Sequence, residues 1–214
     1  GRGGMGMVYE AYQVSTGRRV AIKVLLDSAV ADSGARRRFE REVELAARLQ
    51  HPDIVPVIDS GVHVGKHYFV MDYIDGRALD RAVRDDRIAP RDILRLVARI
   101  ARAVDYAHQR GVLHRDIKPT NILVDRDGAP HLLDFGLAKA IVPSDAVAPV
   151  EMSLSEPGGF VGTLGYVAPE QAAGAQHEVS VRSDVYSLGA VAYSLLTGKL
   201  PVSARGPIHD ILNK

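Results

Sequence analysis

The sequence predicts an α+β fold, strand-rich up to about Gly76 and helix-rich after it. Two observations carry this. Before Gly76, runs of β-branched and aromatic residues flank short turns and leave room for one amphipathic helix. Beyond it, apolar residues recur at helical spacing over long stretches.

The elements follow in order. "MVYEAYQV" and "RRVAIKVLL" flank the turn residues Ser15, Thr16 and Gly17 and read as a hairpin. In Ala35–Leu49, Phe39, Val43, Ala46 and Leu49 share one helical face. "IVPVIDSGV" and "HYFVMDYI" meet at Val64-Gly65 as a second hairpin. Asp92–Arg110 places Ile93, Leu96, Val97, Ile100, Val104 and Ala107 on one face, and Gly111 supplies a stop. "ILVD" and "HLLD" enclose Asp127-Gly128 as a third, short hairpin. Residues 138–165 show no periodicity. Asp184–Thr197 reads as a helix ended by Gly198.

Bulk properties exclude several function classes. The chain has 214 residues, enough for two lobes around a real core. With 46% hydrophobic and 25% charged residues, it is not a disordered sequence. A net charge of +1, from 27 basic and 26 acidic side chains, gives no basic surplus for nucleic acid. Without cysteine there are no disulfides and no thiolate metal sites. The longest apolar run, Leu188–Leu196, is interrupted by Tyr193 and Ser194 and is too short for a membrane span.

The opening "GRGGMGMV" sets Gly1, Gly3 and Gly6 at G-x-G-x-x-G spacing. This pattern suits a loop whose backbone N–H groups approach phosphate oxygens closely. In a dinucleotide-binding sheet a helix follows such glycines. Here a strand follows, which argues against an NAD-dependent oxidoreductase.

Further along lie "VAIK" (20–23), "HRDIKPTN" (114–121), "DFG" (134–136), "APE" (168–170) and "DVYSLG" (184–189). In this order, and with the glycine loop, these motifs resemble the eukaryotic-like Ser/Thr protein kinases of bacteria. The resemblance implies a bilobal fold, with residues 1–76 as the smaller β lobe and hinge and 77–214 as part of the larger helical lobe. It implies phosphoryl transfer from Mg-ATP to Ser/Thr hydroxyls of protein substrates, the activity of a non-specific serine/threonine protein kinase. The alternative is an ATP-binding pseudokinase or scaffold. Its mark would be loss of Lys23, Asp116, Asn121 or Asp134, and all four are present.

The resemblance also assigns roles residue by residue. Gly1, Gly3 and Gly6 would cover the phosphates, with Lys23 as a mobile charge on them. Glu42 would orient Lys23, and Glu40 and Glu44 lie on other helical faces. Val8, Ala21 and Leu123 would sandwich the adenine and Met71 would guard the pocket's back. Backbone groups of Asp72 and Ile74 would meet the purine edge. Asp116 would be the catalytic base and Lys118 would stabilise charge on the moving phosphoryl group. Asn121 and Asp134 would ligate Mg²⁺, a hard cation that needs few protein oxygens. Asp184 would hold the catalytic loop from beneath, with His114 and Phe135 packed in the core. Lys118 and Thr163 point to Ser/Thr rather than Tyr acceptors.

Other expectations concern context. The partners implied are protein substrates, with dimerisation for autophosphorylation, and no nucleic acid. The location implied is cytoplasmic, with any membrane anchor of the whole protein outside this segment. Arg115 before Asp116 implies control by a phosphate on the segment Asp134–Glu170. Ser144, Ser153 and Ser155 are its candidates, Lys139 a second partner and Glu156 a charge mimic. By the resemblance, the first strand and the later helices of the large lobe fall outside the chain. Glu170 should then lack a buried arginine, and the face carrying Val185, Leu188, Val191 and Leu195 should be partly uncovered.

Overall fold

The computed structural model describes residues 2–3, 6–25, 33–135 and 164–202. Strands β1 (Arg2–Gly3), β2 (Gly6–Gln13), β3 (Arg18–Leu25), β4 (Val57–His63) and β5 (Lys66–Asp72) form an antiparallel sheet in the order β1-β2-β3-β5-β4. Helix α1 (Ser33–Ala47) packs against β4. The helical face read from the sequence is its buried face: Phe39, Val43 and Ala46 lie in the core, and so does Leu49 just beyond the helix.

The two hairpin turns differ. In the first, Gly17 takes the left-handed conformation (φ 67°) while its N–H bonds the Gln13 carbonyl at 2.8 Å. In the second, both Val64 (φ 48°) and Gly65 (φ 73°) are left-handed. That twist suits a two-residue hairpin, and a β-branched residue adopts it only under strain.

Next come β6 (Gly76–Ala78), α2 (Leu79–Asp85), α3 (Pro90–His108), β7 (Ile122–Asp125) and β8 (Pro130–Leu132). Strands β6, β7 and β8 form a second, small antiparallel sheet. Gly76 is required there, since a Cβ would lie 2.6 Å from the Val124 carbonyl oxygen. Pro90 opens α3 at the position where its missing N–H costs nothing. The helix buries Ile93, Leu96, Ile100, Val104 and Ala107 as its periodicity requires, and left-handed Gly111 follows its end.

After α4 (Pro169–Ala172), helix α5 (Val181–Thr197) packs against α3. It begins three residues before the expected Asp184, because Ser180 caps it. The Ser180 hydroxyl accepts from the Arg182 N–H, and the Ser180 N–H is given to Ser183 Oγ at 3.0 Å. Ser183 Oγ in turn donates to the Glu170 carboxylate. Among the described residues Glu170 thus meets a hydroxyl and no arginine. The outer face of α5 leaves Val181, Val185, Tyr193 and Leu196 exposed. Val191, expected on that face, is instead fully buried against the core.

A strap formed by residues 50–55 joins the two sheets. The Leu132 N–H bonds the Asp53 carbonyl at 2.8 Å, and the Val55 N–H bonds the Leu132 carbonyl at 3.0 Å. The buried Asp53 carboxylate accepts both Nε and Nη2 of Arg99 from α3. Tyr106, also on α3, packs on His51 and accepts from the Gln50 N–H through its hydroxyl.

Candidate active site

The site is built on a loop hung from α5. Asp184, buried in the first turns of that helix, accepts three hydrogen bonds. They come from the His114 N–H (2.8 Å), the Arg115 N–H (2.7 Å) and His108 Nε2 (2.8 Å). Arg115 is held at φ 63°, a left-handed conformation unusual for a residue with a side chain. Its carbonyl is fixed as well, accepting from Gln171 Nε2 at 2.9 Å. With both peptide groups clamped, the strained backbone has nowhere to relax.

His114 ties this loop to the strand that leads to Asp134. The ring is fully buried, and burial pushes its pKa down against the pull of Asp184, Asp116, Asp134 and the Leu133 carbonyl. It is therefore neutral, with Nε2–H donating to the Leu133 carbonyl at 2.8 Å and Nδ1 accepting from the Asp116 N–H at 3.2 Å. The Phe135 ring lies 4.9 Å from it, centroid to centroid. A second tie is the Leu133 N–H on the Asn121 carbonyl, at 2.9 Å.

The chemistry-bearing side chains cluster around these ties. Asp116 Oδ2 accepts from Asn121 Nδ2 at 2.8 Å and lies 2.9 Å from Lys118 Nζ. Asn121 Nδ2 also reaches the Asp116 carbonyl at 2.8 Å. Asp134 is left-handed (φ 55°). Its Oδ2 sits 2.5 Å from Lys23 Nζ, and its Oδ1 is buried with no hydrogen-bond partner among the described residues. Lys23 is thus brought to Asp134 from the far sheet, 111 residues away in sequence.

A glycine-bearing strand pair lies beside Lys23. Gly3 pairs with Gly6, and Val8 pairs with Lys23 across β2 and β3. A Cβ on Gly6 would fall 2.3 Å from the Val24 carbonyl oxygen, so strand packing alone demands glycine there. Ala21 pairs with Met71, both buried, while Val8 and Leu123 are half-buried. The Asp72 carboxylate is pinned by Arg18 at 2.5 Å. The Asp72 N–H bonds the Pro56 carbonyl, and the Ile74 carbonyl accepts from Gly76. Gly1, Thr163, Lys139, Ser144, Ser153, Ser155 and Glu156 lie outside the described residues.

The family profile described as "Protein kinase domain" matches residues 1–213. The chain belongs to the protein kinase domain family. Among its relatives are a probable serine/threonine-protein kinase of Streptomyces coelicolor, SCO3848 (39% identical), and PknB of Mycolicibacterium smegmatis (39%). Each match covers 97% of this chain, but only 30% and 33% of those proteins. The chain therefore spans about a third of the length of these relatives. Among solved structures, the PknI kinase domain of Mycobacterium tuberculosis superposes with a TM-score of 0.73 at 34% identity, covering 99% of this chain and 78% of that one. The α+β expectation is met.

One expected contact in the kinase domain is absent. Lys23 pairs with Asp134, and Glu42 lies 3.5 Å from Arg115 Nη1. The Glu42 side chain is 22% exposed and reaches the loop that carries Arg115. The match of motifs chose Glu42 as the partner of Lys23, but which neighbour a helical side chain reaches is a matter of tertiary packing. The sequence reading also missed His108. Its partner Asp184 is 76 residues away, and no local pattern marks such a pair.

The neutral His114 has a measurable consequence. An unfolded chain takes up a proton on this histidine below its ordinary value of 6.5. The folded one does not, so stability falls as pH drops through and below 6.5. The slope is at most about 1.4 kcal/mol per pH unit for one such group. Denaturant titrations between pH 7.5 and 5 should show a steeper loss in the parent than in a His114→Asn variant. Equal slopes would mean that the ring is protonated in the fold.

Proposed function

We propose that this domain transfers the γ-phosphoryl group of ATP to Ser or Thr hydroxyls of protein substrates. The observation that carries the reading is the Asp116, Lys118 and Asn121 cluster, held within one loop by His114 and Asp184 and tied to Asp134. The serine/threonine kinase names of relatives such as PknB support it.

In this reading the acceptor hydroxyl approaches Asp116, which takes its proton as the oxygen bonds to phosphorus and ADP leaves. Lys118 stands beside the same carboxylate, in reach of the phosphoryl oxygens. Asp134 and Asn121 fit a Mg²⁺ site, because the orphaned Asp134 Oδ1 is a hard oxygen in need of a partner. When bound, that ion neutralises phosphate charge. Gly1, Gly3, Gly6 and Lys23 would hold the phosphates. Val8, Ala21, Leu123 and Met71 enclose the adenine, and the Asp72 carbonyl and Ile74 N–H meet its edge. In this reading Glu42 would orient Lys23 during transfer, although its neighbour here is Arg115.

The test is incubation with Mg-ATP labelled at the γ-phosphate and a generic basic protein, followed by phosphoamino-acid analysis. Label on serine or threonine is expected. Nucleotide binding with no transfer to any acceptor would favour the scaffold reading.

A further inference from the structure

Between the end of β5 at Asp72 and the start of β6 at Gly76, residues 73–75 run outside both sheets as a linker. The ladder between β3 and β5 ends at the pair Val20 and Asp72. Strand β3 begins two residues earlier, with Arg18 and Arg19, whose backbones pair with Gln13 and Tyr12 of β2. Their side chains reach across to the linker. Arg18 Nη2 lies 2.5 Å from Asp72 Oδ1, and the Arg19 guanidinium sits over the Tyr73 ring, 3.8 Å from its centroid. Glu10 of β2 steadies Arg19, whose Nε donates to Oε1 at 2.7 Å.

We propose that Arg18 and Arg19 are positioning residues that hold this linker in shape for the base of a nucleotide. The inference rests on the nucleotide-site reading above, in which the Asp72 carbonyl and the Ile74 N–H meet the adenine edge. Alternation along the strands makes the grip two-sided. Arg18 shares a sheet face with Val20 and Asp72, while Arg19 lies on the opposite face, with Ala21 and Met71. That second face carries the residues proposed to enclose the adenine, and Tyr73 meets Arg19 on it. The next residue, Ile74, packs on the core. Two neighbouring arginines thus fix two neighbouring residues just ahead of the peptide group that would meet the purine.

The gain is order before binding. A hydrogen bond to a base edge weakens steeply when its donor is turned away. A linker without ladder bonds loses conformational freedom when a ligand fixes it, and one already held loses less. The linker's own backbone bonds run from the Asp72 N–H to the Pro56 carbonyl and from the Gly76 N–H to the Ile74 carbonyl, and neither involves Tyr73. Its ring under Arg19 supplies the missing hold. The Arg18 and Arg19 side chains are 49% and 40% exposed, so solvent screens their ion pairs and their loss costs the fold little. Their effect therefore belongs to nucleotide affinity.

The test is calorimetric titration of the intact protein with Mg-ADP, joined to steady-state transfer from Mg-ATP. The Arg18→Ala, Arg19→Ala double variant should bind Mg-ADP about three- to tenfold more weakly, the range for ordering one or two side chains on binding. KM for ATP should rise by a similar factor while kcat stays at the parental value. Tyr73→Leu should weaken binding and Tyr73→Phe should not, because the ring and not the hydroxyl meets the guanidinium. Adding Arg19→Ala to Tyr73→Leu should cost nothing more, since both remove one contact. Parental affinity in the double arginine variant overturns the proposal, as does a fall in kcat with KM unchanged, or an equal loss in Tyr73→Phe and Tyr73→Leu. If the double variant does not fold, the tyrosine pair decides: weakening in leucine alone supports the proposal, and parental affinity in both overturns it. If the unaltered protein binds Mg-ADP without transferring phosphate, the kinase reading fails and the titration still decides the role of the arginines. If it does not bind Mg-ADP, the nucleotide site falls and the proposal with it.

Discussion

Asp116→Ala is expected to lower phosphoryl transfer by roughly 10²–10⁴, the usual range for a positioned general base. Affinity for Mg-ADP should change little. The geometry gives the reason for both halves. Asn121 and Lys118 converge on one oxygen of this carboxylate at 2.8 and 2.9 Å, which fixes its direction on the loop. Lys23 and Asp134, proposed to hold the nucleotide and its cation, pair with each other. Asp116→Asn separates shape from basicity. It can keep a contact with Asn121 and still lacks the proton acceptor, so its turnover should fall in the same range. Single-turnover transfer and a binding titration on both variants check this. Near-parental turnover in Asp116→Asn would remove the base assignment.

The second large effect is on stability. Asp184→Ala leaves two backbone N–H groups and the His108 ring without their acceptor in a buried site. Breaking a buried charged contact by deleting one partner typically costs about 3–5 kcal/mol. For a chain of this size that corresponds to a melting-point drop on the order of 10 °C. Turnover should fall as well, since Arg115 and Asp116 lose the anchor that orients them. Asp184→Asn retains one acceptor oxygen and should lie between. Thermal melts of the two variants are the measurement. A drop of only a degree or two in Asp184→Ala would mean that the loop is held from elsewhere.

The readable parts of the fold were those with a local signature. Helices α1 and α3 display their buried faces as spacing, and Gly17, Gly65, Gly111 and Gly128 mark turns that need the left-handed conformation. The rest had no such mark. Strand β6 is three residues long and exists because Gly76 lets its backbone approach β7. Helix α2 lacks a side-chain cap. The early start of α5 depends on the reciprocal bonds of Ser180 and Ser183, two serines that look like loop residues in sequence. In the site, motif spacing brought Asp116, Lys118 and Asn121 together correctly. It paired Glu42 with Lys23, whereas in the structure Arg115 is the neighbour of Glu42 and Asp134 that of Lys23, a choice set by tertiary packing and not by spacing.

The strap at residues 50–55 gives α1 a fulcrum. Asp53 and Leu132 fasten the chain just past the helix to the small sheet, and Arg99 and Tyr106 fasten it to α3. Any tilt of α1 about its end near Leu49 would displace residues in proportion to their distance from that end. Glu42 lies about 10 Å up this lever at 1.5 Å per residue. A rotation of about 15° about the fulcrum carries its backbone roughly 3 Å, enough to make or break a contact between charged groups.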